Sequence, residues 1–359
     1  MKIAVIGANG QVGREVCLFL TVMGIQVIAI SRSEIGGAFL ERCGVTCAYG
    51  SVSKSEEARN ILAGCDLIAD FAHPNAGFDG EIRAAIRSNI ESVLRWAPPK
   101  ACYVYISTIN AFGMPDGRSA LKNYWLSHSR YSANKRYGEK LAFRGKLSRN
   151  VYVLRLGHVH GELQKVSSET VAEVSSGRVI LPFDPSTESY TVFCFSIAEA
   201  LKNIADAKEK PGLYTMVSTP GWSWKDLYSY WADRVGCKCE FVVRQHNTSS
   251  NVGLLWLGKR CGAPLVQWGM RNRELILNYV LRHFPTVEAR IYAEYHRRKA
   301  ASEISAYVRD PEPAREFHTG QIPGRRLASL SDSRVTMENS ARLVRNLIEN
   351  ATLGNRMVR

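Results

Sequence analysis

The chain opens Met1-Lys-Ile-Ala-Val-Ile-Gly7-Ala-Asn-Gly10-Gln-Val-Gly13. Ile3 to Ile6 is an unbroken apolar run, the pattern of a strand covered on both faces. Gly7, Gly10 and Gly13 follow, and then Val16, Leu18, Phe19 and Leu20 supply the apolar face of a helix. Strand, glycine turn and helix together form the opening unit of a dinucleotide-binding α/β fold. Glycines are needed there because the backbone must turn sharply and come close to a pyrophosphate. The free N–H groups at the start of the helix then hold the anion. The spacing G-x-x-G-x-x-G departs from the commoner G-x-G-x-x-G.

The 359 residues suffice for two domains, or for one domain with a large appendage, and 45% hydrophobic with 22% charged residues is an ordinary globular balance. The first strand begins at residue 2, so no secretory leader is expected. No apolar run reaches the roughly 18 uncharged residues of a membrane span. The longest candidate, 252–270, is interrupted by Lys259, Arg260 and Pro264. Nine cysteines without paired C-x-x-C spacing suggest reduced thiols and a cytoplasmic protein. Cys237-Lys-Cys239 is the only close pair, and it lacks further ligands nearby, so no metal site is expected. A net charge of +14 favours an anionic partner: a nucleotide-linked substrate, a nucleic acid or an acidic membrane surface. A well-solvated basic surface explains the charge equally well.

The second strand, Gln26 to Ile30, runs into Ser31-Arg32-Ser33. An acidic residue at this point binds ribose hydroxyls, whereas a basic one accommodates a 2′-phosphate. Arg32 therefore favours NADP over NAD, with Glu34 close by as a counter-indication. Further strands are expected near Val45 to Tyr49, in the run from Asp66 to His73, and at Cys102 to Thr108. Helices are expected over Ser55 to Ala63 and Asp79 to Trp96. Asp70 needs a partner if buried. His73 could face a cofactor, but it reads first as a satisfied structural histidine.

Tyr131-Ser-Ala-Asn-Lys135 places a phenol and an ammonium on one face of a helix, one turn apart. A cation beside a phenol favours phenolate and lowers its pKa from about 10. That suits Tyr131 as acid and base for an alcohol–carbonyl pair, with Lys135 also able to hold the nicotinamide ribose and Thr108 orienting the reacting oxygen.

Together these blocks resemble the extended short-chain dehydrogenase/reductase family, the NAD(P)-dependent epimerase/dehydratase group. The resemblance rests on the glycine turn, on Ile106-Ser-Thr108 with Ala111-Phe-Gly113, and on Tyr131 to Lys135 with Gly138-Glu139. It rests also on Leu154-Arg-Leu-Gly-His-Val-His-Gly161 and on Thr191 to Ala200, and it covers roughly residues 1–235. It implies a Rossmann-type doubly wound parallel sheet over 1–165, with a returning segment near 185–205. A smaller α/β substrate lobe would span 166–240, and a mainly helical, basic C-terminal extension 241–359. It implies Thr108, Tyr131 and Lys135 as the catalytic residues. Gly7, Asn9, Gly10, Gln11, Val12 and Gly13 would cradle the pyrophosphate, and Arg32 and Ser33 would meet the adenosine ribose or its phosphate. Ser51 and Val52 would lie near the adenine, with Phe71, Ala72, Leu156 and Val159 along the rest of the cofactor. Asn110 and His158 would face the substrate.

The implied activity is hydride transfer at a secondary alcohol or ketone carbon, on a nucleotide-activated sugar, by an epimerase or a reductase. The family's 4,6-dehydratases carry Asp-Glu after the catalytic Thr. Here Ile109-Asn110 stands instead, so dehydration is disfavoured. Two alternatives stay open. One is a reductase of a small hydrophobic or steroid-like ketone, suggested by Leu254, Leu255 and Trp256. The other is a nucleic-acid-binding protein on the same fold, suggested by the charge. Within the extension, 270–284 and 287–308 read as basic helices that pack on the lobe, form a homodimer or lid, or touch an anionic surface. A last short helix is expected over Ser340 to Ala351.

Overall fold

A computed structural model describes residues 1–74, 79–112, 130–144, 149–243, 322, 324–330 and 334–353. The chain divides into two compact units. One holds residues 1–77, 81–245 and 318–359; the other, 78–80 and 246–317, lies almost wholly outside the described residues.

In the first unit, β1 (Lys2–Ile6), β2 (Gln26–Ser31), β3 (Thr46–Tyr49), β4 (Leu67–Asp70), β5 (Cys102–Thr108), β6 (Val151–Leu156) and β10 (Gly212–Met216) form a parallel seven-stranded sheet, in the order β10-β6-β5-β4-β1-β2-β3. The order reverses between β1 and β4, and in such sheets ligands bind beyond the carboxyl ends at that switch point. The register brings Ile6 level with Ile30 on one side and Asp70 on the other, and Thr108 level with Leu156.

Helices cover both faces, as a wholly parallel sheet requires. Alternate strand residues, among them Ala4, Ile6, Ile68, Tyr103, Tyr105 and Val153, face a core shared with Ile82, Ile86, Ile90 and Val93 of α4 (Asp79–Trp96). Leu141 and Ala142 of α5 (Arg130–Arg144) join the same core. Behind the other face stand α1 (Gln11–Val22) and α7 (Cys194–Ala205), locked by an edge-on contact of Phe19 with Phe195 at 5.9 Å. α2 (Glu34–Arg42) and α3 (Ser55–Ile61) complete the first half.

Among the described residues, the remaining elements are two short parallel pairs, three α-helices and a 3-10 turn at Ile109–Phe112. β7 (His158–His160) pairs with β9 (Thr191–Phe193), and β8 (Arg178–Leu181) with β11 (Glu240–Val243). α6 (Lys165–Ser175) packs on α8 (Trp224–Val235). α8 starts on a capping box between Ser223 and Asp226 and stops at Gly236, whose φ of 70° a side chain would resist. α9 (Arg334–Leu353) packs on α1 and α7.

Two expectations need correction. Gly212–Met216, placed by sequence in the lobe, is the edge strand of the main sheet, paired with β6. The final helix is not short: it runs 20 residues, because Met337, Ala341 and Val344 extend one buried stripe back along it. The predicted helices at 270–284 and 287–308 lie outside the described residues. Among the described residues, no helix is long and apolar enough to cross a membrane.

Candidate active site

β1 ends at Ile6, and the chain turns at Gly7 with φ of 76°. A Cβ built there would stand 2.9 Å from the Ala72 N atom, so the turn rests directly on the backbone leaving β4. A Cβ at Gly13 would stand 2.5 Å from the Gly7 carbonyl oxygen, which already accepts from Gly10 N at 3.0 Å. Glycine is thus a steric requirement at both positions. The N-cap of α1 is Gly10, which has no side chain to take up the first N–H groups. Those N–H groups and the bare turn before them suit an anion, which is what a dinucleotide's pyrophosphate would present. Asn9 and Gln11 are exposed beside the turn and Val12 is half-buried.

At the next strand end, Arg32 and Ser33 are both exposed, and the Ser33 hydroxyl caps α2 by accepting from Gly36 N at 3.3 Å. Ser51 gives its backbone N–H to Glu57 at 2.6 Å. Val52 is a core residue, so of that pair only Ser51 reaches the surface. Phe71 and Ala72 are half-buried where β4 leaves the sheet.

α5 brings Tyr131 and Lys135 to the carboxyl end of β5. Two side chains pin it there. Lys135 donates to the Ile106 carbonyl at 2.9 Å, and Arg136 donates to the Ala111 carbonyl at 2.7 Å. Lys135 is buried, whereas Tyr131 is 43% exposed as a residue, with its phenol end the more enclosed part. Thr108, at the end of β5, is half-buried and its hydroxyl accepts from Asn110 N at 3.3 Å.

Beneath the pair lies a buried set of alternating charges. The Asp70 carboxylate accepts from the Tyr103 hydroxyl at 2.9 Å and from Ala72 N at 3.0 Å. Glu139 takes a two-pronged ion pair from Arg155 at 2.8 and 2.6 Å and a further bond from Ser107 at 2.5 Å. Asp70 and Glu139 both favour the Lys135 ammonium, yet burial outweighs them and draws it down to about 8. Burial also raises Asp70. The expected lowering of the Tyr131 pKa is not found: burial of the phenol pushes it up instead. The ammonium stands 5.9 Å from the phenol ring centroid and spends a proton on a backbone carbonyl, so its pull does not dominate.

On the β6 side, Leu156 is buried, and His158 and Val159 are half-buried. The His158 ring packs 5.5 Å from Trp224. The segment after β7 is clamped to α1 by Glu15, a fully buried carboxylate that sequence reasoning missed. Glu15 accepts from Glu162 N at 2.6 Å, Leu163 N at 2.9 Å and Gln164 Nε2 at 2.8 Å, and burial raises its pKa. Glu139 and Arg155 belong to two separate sequence motifs, and nothing in either motif announces their pairing. His73, read as a satisfied structural residue, instead lies against Tyr131 with ring centroids 4.7 Å apart. Its position directly after Asp70-Phe-Ala was the one signal the sequence offered.

The model of the NAD dependent epimerase/dehydratase family matches residues 3–191. No curated protein matches. Among solved structures, a UDP-N-acetylglucosamine 4-epimerase from Bacillus cereus is 16% identical with a TM-score of 0.52, over 71% of this chain and 90% of that one. A UDP-glucose 4-epimerase from Thermotoga maritima, with UDP-glucose, is 16% identical with a TM-score of 0.51, over 69% and 87%. A dTDP-glucose 4,6-dehydratase from Bacillus anthracis, in complex with NAD, is also 16% identical with a TM-score of 0.51, over 68% and 85%. These likenesses show the fold.

Proposed function

The chain belongs to the NAD-dependent epimerase/dehydratase family, and on that premise we propose that it transfers hydride at a secondary alcohol or ketone carbon of a nucleotide-activated sugar. The observation that carries this reading is an exposed Tyr131 one turn from a buried Lys135, both on the helix pinned to the end of β5. A nicotinamide dinucleotide supplies the hydride that the chain itself lacks. The chain's own part is to hold the two ligands and to move one proton. Gly7, Gly10 and Gly13 receive the pyrophosphate, with Asn9, Gln11 and Val12 around it. Ser51, Phe71, Ala72, Leu156 and Val159 line the remainder. Tyr131, held protonated at neutral pH, gives its proton to the carbonyl oxygen as that carbon is reduced, and takes it back in the reverse direction. Thr108 orients that oxygen, and Asn110 and His158 border the substrate.

Arg32, exposed just past the end of β2, supports NADP over NAD, with Glu34 two residues on as the counter-indication. An NADP preference in turn supports a reductase over an epimerase, since an epimerase keeps one cofactor bound through its cycle. Ile109-Asn110 argues against dehydration, which needs an acid and a base at those positions. The residues that suggested a hydrophobic ketone, Leu254, Leu255 and Trp256, lie outside the described residues, as do the basic stretches that suggested a nucleic acid, a membrane surface or a homodimer.

The test is to release and identify any bound nucleotide, then to screen nucleotide sugars for a change in NADPH absorbance. Tyr131→Phe is expected to cut turnover by about 10²–10⁴ while leaving dinucleotide affinity within about twofold. Turnover that survives this substitution would remove Tyr131 from the chemistry.

A further inference from the structure

His73 stands where β4 runs out at the carboxyl edge of the sheet. On one side, the backbone of Phe71 and Ala72 just before it lies against Gly7, within 3.0 Å of where a Cβ would be. On the other, its ring meets Tyr131 edge to face, with the planes at 80°. The histidine therefore bridges the interval between the glycine turn and the phenol. The residue is half-buried, but its Nδ1 is covered and has no hydrogen-bond partner among the described residues. A buried ring nitrogen is costly to leave unpaired, and native proteins rarely do so away from a functional site.

The chemistry of the missing partner follows from position and charge. Burial and the nearby Lys135 ammonium hold the imidazole down to about 4, so the ring is neutral at physiological pH. A neutral imidazole offers one donor and one acceptor, and pairs best with a hydroxyl, which can take either role. A dinucleotide with its pyrophosphate on the glycine turn and its nicotinamide at Tyr131 has one group between them, the nicotinamide-side ribose. We propose that His73 is a cofactor-binding residue whose ring nitrogen hydrogen-bonds a hydroxyl of that ribose while its ring wedges Tyr131 in place. The assignment rests on the dinucleotide reading given above.

His73→Phe keeps an aromatic ring against Tyr131 and removes both nitrogens. His73→Gln keeps a group able to bond a hydroxyl. The full-length protein is titrated with NADPH and with NADH by nicotinamide fluorescence. The adenine half alone, adenosine 2′,5′-bisphosphate or ADP, is titrated by calorimetry. His73→Phe is expected to weaken the preferred dinucleotide about five- to tenfold, His73→Gln less, and neither to move the adenine half beyond about twofold. Unchanged dinucleotide binding in His73→Phe overturns the proposal. So does an equal loss of both ligands, the mark of a merely structural role, and so does a change confined to the KM of a sugar substrate. Should the phenylalanine variant fail to fold, the histidine ¹⁵N resonances of the wild type read the same contact. A ring nitrogen that does not shift on saturation with dinucleotide overturns the proposal. A wild type that binds neither NADPH nor NADH would instead refute the functional reading itself, a result distinct from all of these.

Discussion

Glu139 and Arg155 lie under the Tyr131–Lys135 stretch of α5 as a fully paired couple, 4% and 7% exposed, with Ser107 completing the carboxylate's bonds. Such a pair adds little net stability, but halving it is severe, because an unmatched charge stays buried. Glu139→Gln preserves shape and removes the charge. It is expected to destabilise the protein by about 3–5 kcal/mol in urea unfolding, and adding Arg155→Met should recover a good part of the loss. Little recovery in the double variant would mean that the pair is not coupled as drawn. His73 makes a prediction in pH. Its folded pKa of about 4 lies below the ordinary 6.5, so its neutral form contributes stability that is fully present above 6.5 and is lost as the pH falls through about 4. The groups facing it are Lys135, whose charge opposes protonation, and Tyr131, which stays neutral there. The wild type should therefore lose stability relative to His73→Phe between pH 6.5 and 4. Paired urea curves at pH 7.5 and 4.5 check this, and parallel behaviour at both would refute it.

The glycine turn is the element on which the cofactor reading depends, and it leaves no room for a methyl group. Gly13→Ala sets a Cβ 2.5 Å from the Gly7 carbonyl oxygen, where only backbone can give way. The expected outcome is a loss of about 1–3 kcal/mol of stability and a drop in NADPH affinity of at least tenfold, read by thermal melts with and without NADPH. This element was legible from sequence because its whole cause is local. A doubly covered strand must be an apolar run, and the turn after it must be glycine. The same holds for β5 and α4, and for Tyr131 and Lys135, whose spacing is one helical turn. What was not legible depends on partners far along the chain. Glu15 takes its bonds from residues 147 and 148 positions later, so nothing around it announces a buried carboxylate. β10 pairs with a strand that ends 56 residues earlier, and Gly-Leu-Tyr-Thr-Met reads equally well as a strand of a lobe. His73 looked ordinary because the phenol beside it arrives from another helix. The Tyr131 pKa went the wrong way because i to i+4 spacing fixes a shared face, not where the ammonium's protons go.

For the molecule as a whole, the C-terminal segment completes the unit built on the seven-stranded sheet. Arg325 gives its carbonyl to Thr215 N at 2.8 Å along β10, the open edge of the sheet, and lays its guanidinium 5.3 Å from the Tyr214 ring centroid. Ser329 is tied to both Asn203 and Glu209. Leu327, Leu330, Met337 and Val344 are each no more than 8% exposed, and Arg334 covers the Trp222 ring at 4.3 Å. Arg345 joins Arg234 on the Glu162 carboxylate, at the segment that Glu15 clamps. Each buried side chain of this size stabilises by about 1.5–3 kcal/mol, so four of them approach the 5–15 kcal/mol that holds a typical domain together. Cutting the chain after residue 317 would strip that cover from α1 and α7 and bare the β10 edge to pairing with other molecules. The truncated protein is expected to melt at least about 10 °C lower than the full chain, or to be recovered only as aggregate on size-exclusion chromatography. A truncated protein that is monodisperse and melts within about 2 °C of the full chain would show that this segment only lies on the surface of the fold.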